Sequence, residues 1–255
     1  MRLTTLNAWG GRSMYPLMRF LRRRKGMTDV FCFQEIFDAD QAVIDAKHPD
    51  EHLRGDLFLK ISAELDEFVG TFARFEDPHR MSTAIFVRKT IPVLSASEPM
   101  VYLPPAPKEE GSMVFSPRKL QTVTLDVSGK PVLVANLHGL WNAGPKTDTP
   151  ERIAQSERVV EALEAHAGPK IVCGDFNLLP QTMSVRILEV EGGLRNPVVE
   201  RGVKSTRTTL YRHYDNPAEP NFADYILHST DLSAEEFEVL PDIVSDHSPL
   251  YARFA

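Results

Sequence analysis

The chain has 255 residues, of which 42% are hydrophobic and 25% are charged. This ordinary globular composition excludes a disordered or coiled-coil protein, and the length suits one large α/β domain over residues 1–255. The net charge of −6 disfavours tight nonspecific binding to duplex nucleic acid, because the overall field repels a polyanion. Two cysteines are too few for a disulfide framework or a cysteine zinc site. No apolar stretch reaches transmembrane length, so we expect a soluble, cytoplasmic protein.

Short apolar runs alternate with amphipathic helical segments along the chain. The pattern predicts strands at residues 3–9, 30–33, 68–74, 83–87, part of 93–103, 114–125, 132–137, 171–173, 225–228, 237–240 and 249–254. It predicts helices at residues 15–25, 57–67, 150–167 and 182–191. Residues 99–117 are rich in proline, lysine and glutamate and are expected to form a long surface loop.

The helix predicted at residues 150–167 has the clearest boundaries. Thr149 can cap its free N–H groups, Pro150 suits its first turn, and Gly168 ends it. The helix therefore connects the strands at residues 132–137 and 171–173 as a crossover unit.

The first predicted helix carries a run of positive charge, consisting of Arg19, Arg22, Arg23, Arg24 and Lys25. Apolar residues recur at helical spacing on the same segment, which places most of the arginines on the opposite face. A solvated outer face of a helix is the simpler interpretation of this basic run. Contact with phosphate groups or with a membrane surface is the alternative.

Polar side chains collect at the ends of the predicted strands. Four strands are followed by such groups, namely Asn7, Gln34-Glu35, Asn136-Leu137-His138-Gly139 and Gly174-Asp175-Phe176-Asn177. Two strands are preceded by them, namely by Asp224 and by Ser245-Asp246-His247. If the last two strands run antiparallel to the first four, all six groups meet at one edge of the sheets, where α/β proteins place ligand sites.

These residue types favour one kind of chemistry. Carboxylate and amide oxygens without a cysteine ligand suit a hard cation such as Mg²⁺ or Mn²⁺. Two histidines beside carboxylates, His138 and His247, suit imidazoles held in a chosen tautomer or charge state. Together they are the groups needed to attack a phosphoester with water. Taken singly, Asn7 and the glycine-aspartate motif at Asp175 are also typical of ordinary turns.

In their order along the chain, these motifs resemble those of the endonuclease/exonuclease/phosphatase family, which has the DNase-I-like fold. The matching segments begin at Asn7-Ala8-Trp9-Gly10 and end at Ser245-Asp246-His247. The resemblance implies an α/β (α+β) four-layer sandwich, in which two mixed β-sheets pack face to face with helices on the outside. It also implies metal-dependent hydrolysis of a phosphoester.

The resemblance further implies a role for each motif residue. Glu35 resembles the principal metal ligand, with Asn7 and Asp246 in or beside the metal shell. His247 resembles the histidine that activates water or contacts the scissile phosphate. Asp224 resembles the carboxylate that orients this histidine.

Asp175 resembles the residue that positions the attacking water, and Asn177 resembles a donor to the phosphate. His138 matches the second histidine of the DNase, sphingomyelinase and inositol-phosphatase branches. The abasic-site endonuclease branch has tyrosine at this position and aspartate at the position of Trp9, which disfavours that branch. Glu76 is a candidate partner for His138.

Three residues outside the motifs are candidate substrate contacts. Arg118 and Arg207 can each clamp a phosphate in a bidentate manner, and each is equally open to a structural role. Trp141 can stack on a base or a sugar, or can pack in the core or against a lid.

The sequence therefore predicts a hydrolase that cleaves a phosphodiester by attack of water, as a nuclease or another phosphodiesterase, with Mg²⁺ or Mn²⁺. A phosphomonoesterase acting on a small or lipid-derived phosphate is the alternative, because this fold hosts several substrate classes. A non-catalytic binding module on the same fold is a third, remote hypothesis. The expected partner is the phosphoester substrate, either a nucleic acid or a small or lipid-derived molecule. No stable protein partner is inferred.

Overall fold

The apolar runs of the sequence assemble into two mixed β-sheets, described here from a computed structural model that covers residues 1–77, 79–104, 116–216 and 220–255. The first sheet has the spatial order β12 (Ala234–Val239), β13 (Leu250–Phe254), β1 (Arg2–Asn7), β2 (Val30–Ile36), β4 (Ser82–Arg88) and β3 (Phe68–Phe72). Strand β1 is parallel to β2 and antiparallel to β13.

The second sheet has the spatial order β10 (Leu194–Arg195), β11 (Asp224–Ser229), β9 (Lys170–Asp175), β8 (Lys130–His138), β7 (Arg118–Val127) and β5 (Val93–Ser97). A further strand, β6 (Met100–Tyr102), pairs with β7. Strand β8 is parallel to β9, whereas β11 is antiparallel to it. The strand directions that bring the polar motifs to one edge are therefore present in both sheets.

The helices are α1 (Met14–Arg24), α2 (Gln41–Lys47), α3 (Leu57–Glu64), α4 (Pro150–Glu164), α5 (Met183–Val190) and α6 (Pro197–Glu200). Helix α4 begins as predicted, because Thr149 Oγ1 accepts a hydrogen bond from Arg152 N at 3.4 Å. The short elements α2, α6 and β10 were not predicted. None of the described helices is long and apolar enough to cross a membrane.

The side chains of β2 show how the layers pack. Val30 and Cys32 belong to the apolar cluster between the two sheets, which also contains Val172 of β9. The alternate residues Phe31 and Phe33 point to the opposite face and pack with α1 and α3. A strand buried on both faces explains the continuous apolar run in the sequence. The predicted four-layer sandwich is thereby confirmed.

Several predicted boundaries differ from the structure, and three of the differences are informative. The first strand ends at Asn7 instead of residue 9, because Trp9 and Gly10 both have positive φ and begin a 3-10 turn. The expected surface loop at residues 99–117 is partly wrong, since β6 lies in it and buries Val101 and Tyr102. The strand predicted at residues 114–125 begins at Arg118 in the described part, and residues 105–115 lie outside the described residues.

The basic run on α1 and the turn that follows it is largely paired with acidic side chains. Its ion pairs are Arg22 with Glu64, Arg23 with Asp242 and Lys25 with Asp66. The guanidinium of Arg24 lies over the ring of Tyr251, 4.6 Å from its centroid. These contacts favour the simpler interpretation, an outer helix face whose charges are balanced on the protein surface. The two cysteines are both buried and free.

Candidate active site

The polar motifs line one cleft of about 840 Å³ at the common edge of the two sheets. The sequence-predicted residues on its surface are Glu35, Arg118, His138, Trp141, Asp175, Asn177, Arg207, Asp246 and His247. Asn7 and Asp224 are buried behind this surface, where each contacts residues of the lining.

Two glycines allow β8 and β9 to approach closely beneath the cleft. A Cβ atom on Gly139 would lie 2.2 Å from the carbonyl oxygen of Phe176, and one on Gly174 would lie 2.0 Å from that of Leu137. Gly174 also has a φ of +129°, which L side chains rarely adopt. The glycines of both motifs are therefore required by the backbone that presents His138 and Asp175.

Glu35 and Asn177 both adopt left-handed backbone conformations, with φ of +56° and +55°. Glu35 lies where the pairing register of β2 and β4 shifts between Phe33 and Ile36, which is a β-bulge. The bulge interrupts the alternation of faces along β2 and places the carboxylate in the cleft. Such backbone strain is concentrated at functional sites in proteins.

Asp175 is the centre of the hydrogen-bond network. Its Oδ2 accepts from Asn7 Nδ2 at 2.9 Å, and its Oδ1 accepts from the backbone N–H of Asn177 at 2.9 Å. The carboxylate also lies near both histidines, with Oδ2 3.8 Å from His138 Nε2 and 3.6 Å from His247 Nε2. Burial opposes its ionisation, but the neighbouring positive groups, His247 first among them, hold the pKa of Asp175 below its usual range.

His247 forms a buried pair with Asp224. The Nδ1 atom of the ring lies 2.8 and 2.9 Å from the two carboxylate oxygens of Asp224. Burial and Arg207 lower the pKa of His247, but the surrounding carboxylates outweigh them, so that the pKa lies above its ordinary value. Because Asp224 occupies Nδ1, the free Nε2 atom faces Asp175 and, at 3.9 Å, Asp246 Oδ1. The ring is thereby held in one orientation.

His138 lies on the other side of Asp175, 3.8 Å from Glu35 Oε1. Burial, together with the charge of Arg118, lowers its pKa to about 3, so the ring is neutral at physiological pH. The carboxylates within 4 Å of this ring are those of Glu35 and Asp175; among the ion pairs of the described residues there is none between His138 and Glu76.

Glu35, Asn7 and Asp246, which were expected in or beside a metal shell, do not form one group. Asn7 donates its amide to Glu35 Oε1 at 3.0 Å and to Asp175, while its oxygen accepts from the backbone N–H of Trp9. Asp246 forms an ion pair with Arg207 at 2.7 Å. Among the described residues, two groups bring ligand atoms within 4.8 Å of one another: Asp175 with Asp224 and His247, and Glu35 with His138 and Asp175. The second group contains the expected principal ligand, Glu35.

This group fits a divalent cation. Burial raises the pKa of Glu35, and the charges of Asp246 and Asp175 raise it further, so negative charge is crowded here without full compensation. The carboxylate oxygens of Glu35 and Asp175 are the kind of donor that Mg²⁺ and Mn²⁺ prefer. A cation here would relieve the repulsion that raises the pKa of Glu35.

Two buried arginines lie in the cleft, as the sequence suggested. Arg118 Nε donates to the carbonyl oxygen of Gly139 at 3.0 Å, and within the described residues its Nη2 atom has no hydrogen-bond partner. Burial lowers the pKa of Arg118 to about 10, which leaves the guanidinium charged at neutral pH. The guanidinium of Arg207 pairs with Asp246 and lies 4.5 Å from the centroid of the Tyr211 ring.

Several lining residues were missed by sequence reasoning. They include Arg12, Glu51, Lys146, Tyr211, Arg212 and His213. Arg12 and Lys146 lie in the loops that follow the motifs at Asn7 and His138, and the other four lie in loops away from the motifs. Only the contacts between distant segments place these side chains in the cleft. Position soon after a motif was the available signal for Arg12 and Lys146.

The sequence profile of the endonuclease/exonuclease/phosphatase family matches residues 4–247. The chain belongs to this family. Membership supports phosphoesterase activity. No curated protein sequence matches the chain.

Solved structures share the fold at low sequence identity. The endonuclease/exonuclease/phosphatase from Bacteroides vulgatus has a TM-score of 0.73 at 17% identity, covering 100% of this chain and 98% of that one. A mannosyl-6-phosphatase of Bacteroides thetaiotaomicron has a TM-score of 0.73 at 18% identity, covering 100% and 99%. The human Nocturnin catalytic domain has a TM-score of 0.62 at 18% identity, covering 100% and 94%.

Proposed function

We propose that this protein hydrolyses a phosphodiester by attack of water, with the help of Mg²⁺ or Mn²⁺. The observation that carries the proposal is the position of the His247 ring. Asp224 holds its Nδ1 atom at 2.8 Å, while Nε2 faces Asp175 at 3.6 Å and opens to the cleft. A base with a fixed tautomer and a second carboxylate beside it is the arrangement needed to activate and orient water.

The cation belongs beside Glu35. We assign Glu35 as its principal ligand, with Asn7 holding Glu35 and Asp175 in place through its amide. Asp246, whose carboxylate is paired with Arg207, is assigned a place beside the metal shell. A bound divalent cation supplies positive charge that stabilises the negative charge developing on the phosphoryl oxygens.

On the water side, we assign proton transfer to His247 and orientation to Asp175. Because Nδ1 is hydrogen-bonded to Asp224, the proton taken from water goes to Nε2. The resulting imidazolium lies beside Asp224 and Asp175, whose negative charges favour it.

On the phosphate side, the donors are Asn177, His138 and Arg118. Neutral His138 offers a ring N–H, and Arg118 brings a full positive charge with a guanidinium nitrogen that has no partner among the described residues. These donors are held in place before the reaction. They can therefore stabilise negative charge in the transition state without reorganising.

A phosphomonoesterase is the second candidate. It is favoured by the cationic side chains in the cleft, Arg118 and Lys146 among them, because a monoester carries more negative charge than a diester. One structure that shares this fold is described as a mannosyl-6-phosphatase. A binding module without catalysis is disfavoured, since the pairing of Asp224 with His247 serves catalysis and not mere binding.

Turnover of a substrate panel tests the proposal. The panel contains bis(4-nitrophenyl) phosphate, 4-nitrophenyl phosphate, single- and double-stranded DNA, and RNA, each with EDTA or with Mg²⁺ or Mn²⁺. We expect metal-dependent release of 4-nitrophenol from the diester, and faster than from the monoester. Faster release from the monoester would favour the second candidate, and no turnover of any compound would contradict both.

A further inference from the structure

One wall of the cleft carries two cationic side chains that have no assigned role in the proposed reaction. Lys146 and Arg212 both line the cleft, and among the described residues neither forms an ion pair within 4 Å. The carboxylates of Asp175, Asp224 and Asp246 act on the Lys146 ammonium from a greater distance. Elsewhere in the lining, Arg12 forms an ion pair with Glu51.

Lys146 is held in place at both ends. Its Nζ atom donates to the carbonyl oxygen of Phe222 at 2.8 Å, and its own carbonyl accepts from the backbone N–H of Leu179 at 2.9 Å. Burial, together with the nearby charge of Arg207, lowers the pKa of this lysine to about 8. A partly buried ammonium without a described anionic partner gains free energy when an anion binds beside it.

The loop that carries Lys146 is fastened by one buried side chain. Arg152 of α4 is 1% exposed, and its guanidinium donates to the carbonyl oxygens of Leu140, Pro145 and Thr147 and to Asn142 Oδ1. Three of these four acceptors lie within four residues of Lys146 in the chain. The position of the Lys146 ammonium group is therefore fixed by the hydrogen bonds that hold its loop.

An aromatic ring connects this wall to the reaction centre. The Tyr211 ring has Arg207, which pairs with Asp246, at 4.5 Å, and Lys146 Nζ at 5.7 Å from its centroid. The next residue, Arg212, is exposed, lines the cleft and donates from Nε to His213 Nε2 at 2.6 Å. Lys146 thus lies one aromatic ring away from Arg207.

We propose that Lys146 and Arg212 form a second phosphate-binding subsite, so that the substrate is a small molecule with two phosphate groups. One phosphate reacts at His247, and the other binds at this wall beside Tyr211. An ammonium and a guanidinium are the side chains that bind phosphate most strongly in proteins. The inference rests on the proposed function only in that the first phosphate reacts at His247. Binding of the second phosphate does not depend on that reaction.

A small substrate fits the cleft better than a polynucleotide does. The volume of about 840 Å³ is in the range of small-molecule pockets. A polynucleotide needs a row of cations along its path, whereas Arg12 in the cleft lining is neutralised by its ion pair with Glu51. The net charge of −6 also disfavours a polyanionic chain.

Calorimetric binding to Lys146→Met, Arg212→Gln and the parent protein tests the subsite. The probes are adenosine 3′,5′-bisphosphate against adenosine 5′-monophosphate, and fructose 1,6-bisphosphate against fructose 6-phosphate, all with Mg²⁺ present. We expect the parent protein to bind at least one bisphosphate about tenfold more tightly than its monophosphate, in keeping with one additional charge-assisted contact. Each variant should lose most of this preference, so that its affinities for the bisphosphate and the monophosphate become nearly equal.

Lys130→Met is the matched control, because it removes one exposed lysine at the start of β8, a residue that does not line the cleft. The subsite is wrong if the parent protein shows no preference for either bisphosphate, or if Lys146→Met and Lys130→Met have equal effects. Binding and turnover separate the two claims. A preference that depends on Lys146, in a protein that turns over no phosphoester, would support the subsite and contradict the proposed function.

Discussion

Asp224 and His247 are both almost fully buried, and each carboxylate oxygen of Asp224 lies within 3 Å of Nδ1. The Asp224→Asn substitution keeps the volume and removes the charge that stabilises the imidazolium. We expect kcat to fall by about 100-fold or more, which is the usual range for loss of general-base catalysis. Initial rates on the preferred substrate of the panel measure this.

The double variant Asp224→Asn/His247→Ala shows whether the two residues act as one unit. We expect it to be about as slow as His247→Ala alone, since effects within one catalytic unit are not additive. Asp50→Asn, at an exposed position, is the control for the loss of one carboxylate. Multiplicative losses in the double variant would show that Asp224 and His247 act separately.

Trp141 lies on the rim of the cleft and is 37% exposed, so its ring is available to a substrate. We expect Trp141→Ala to raise KM about fivefold or more and to change kcat less, because a stacking contact contributes equally to the ground state and the transition state. Steady-state kinetics separate the two constants. Tyr15→Ala, which removes a 71% exposed aromatic residue far from the cleft, is the control. A fall in kcat at unchanged KM would exclude a simple substrate contact.

At the scale of elements, the loop between β8 and α4 depends on Arg152. Replacing it by Met keeps much of the apolar stem but leaves three backbone carbonyls and Asn142 without their donor. We expect Arg152→Met to lower the free energy of unfolding by about 3 kcal/mol, the upper range for losing hydrogen bonds to a charged group. Arg158→Met, an exposed arginine on the same helix, is the control in thermal unfolding. Equal melting temperatures for the two variants would contradict this role.

Strand boundaries show what local sequence does and does not determine. The polar groups at the ends of β8 and β9 were predictable, because a buried apolar run that stops at a histidine or an aspartate marks the strand end. The bulge at Glu35 was not predictable, because it depends on the pairing of β2 with β4 and on a positive φ that glutamate rarely adopts. The short strand β6 lies where the strand predicted in part of residues 93–103 overlaps the expected loop at residues 99–117, and its pairing with β7 outweighs the loop-like composition.

The two sheets are joined by a buried polar contact beneath the cleft. Gln34 Nε2 of the first sheet donates to Asn136 Oδ1 of the second at 2.6 Å, and Asn136 Nδ2 donates to the carbonyl oxygens of Phe33 and Ala84. Both residues belong to the sequence motifs, yet the structure gives them a place between the layers instead of in the cleft. Sequence alone does not show whether a motif residue lies between the two sheets or in the cleft, because residues of both kinds come at the end of a buried apolar run.

We expect Asn136→Leu to lower the free energy of unfolding by about 3 kcal/mol, because buried acceptors and the Gln34 amide lose their partner. The double variant Gln34→Leu/Asn136→Leu should be less destabilised than the sum of the single variants, since both partners are then apolar. Urea denaturation of all four proteins measures the coupling. Strict additivity would mean that the contact between the sheets contributes nothing specific to stability.

For the whole molecule, topology accounts for the site better than any single motif. Family resemblance correctly indicated the sandwich. The antiparallel course of β11 places Asp224 opposite Asp175, and the pairing of β13 with β1 brings His247 to the edge where β1 ends. The wall of Lys146 and Tyr211 could not be predicted in this way. Its residues lie in loops, whose positions depend on packing between distant segments and not on periodicity.

The most direct test of the account is the metal dependence of bis(4-nitrophenyl) phosphate hydrolysis by the parent protein and by Glu35→Gln, measured side by side. Glutamine keeps the shape of Glu35 and removes the charge on which a hard cation depends. We expect no turnover in EDTA, and full recovery of the parent protein with Mg²⁺ or Mn²⁺. Glu35→Gln should remain inactive at the same metal concentration. Undiminished hydrolysis in EDTA, or equal rates for the two proteins, would contradict the account.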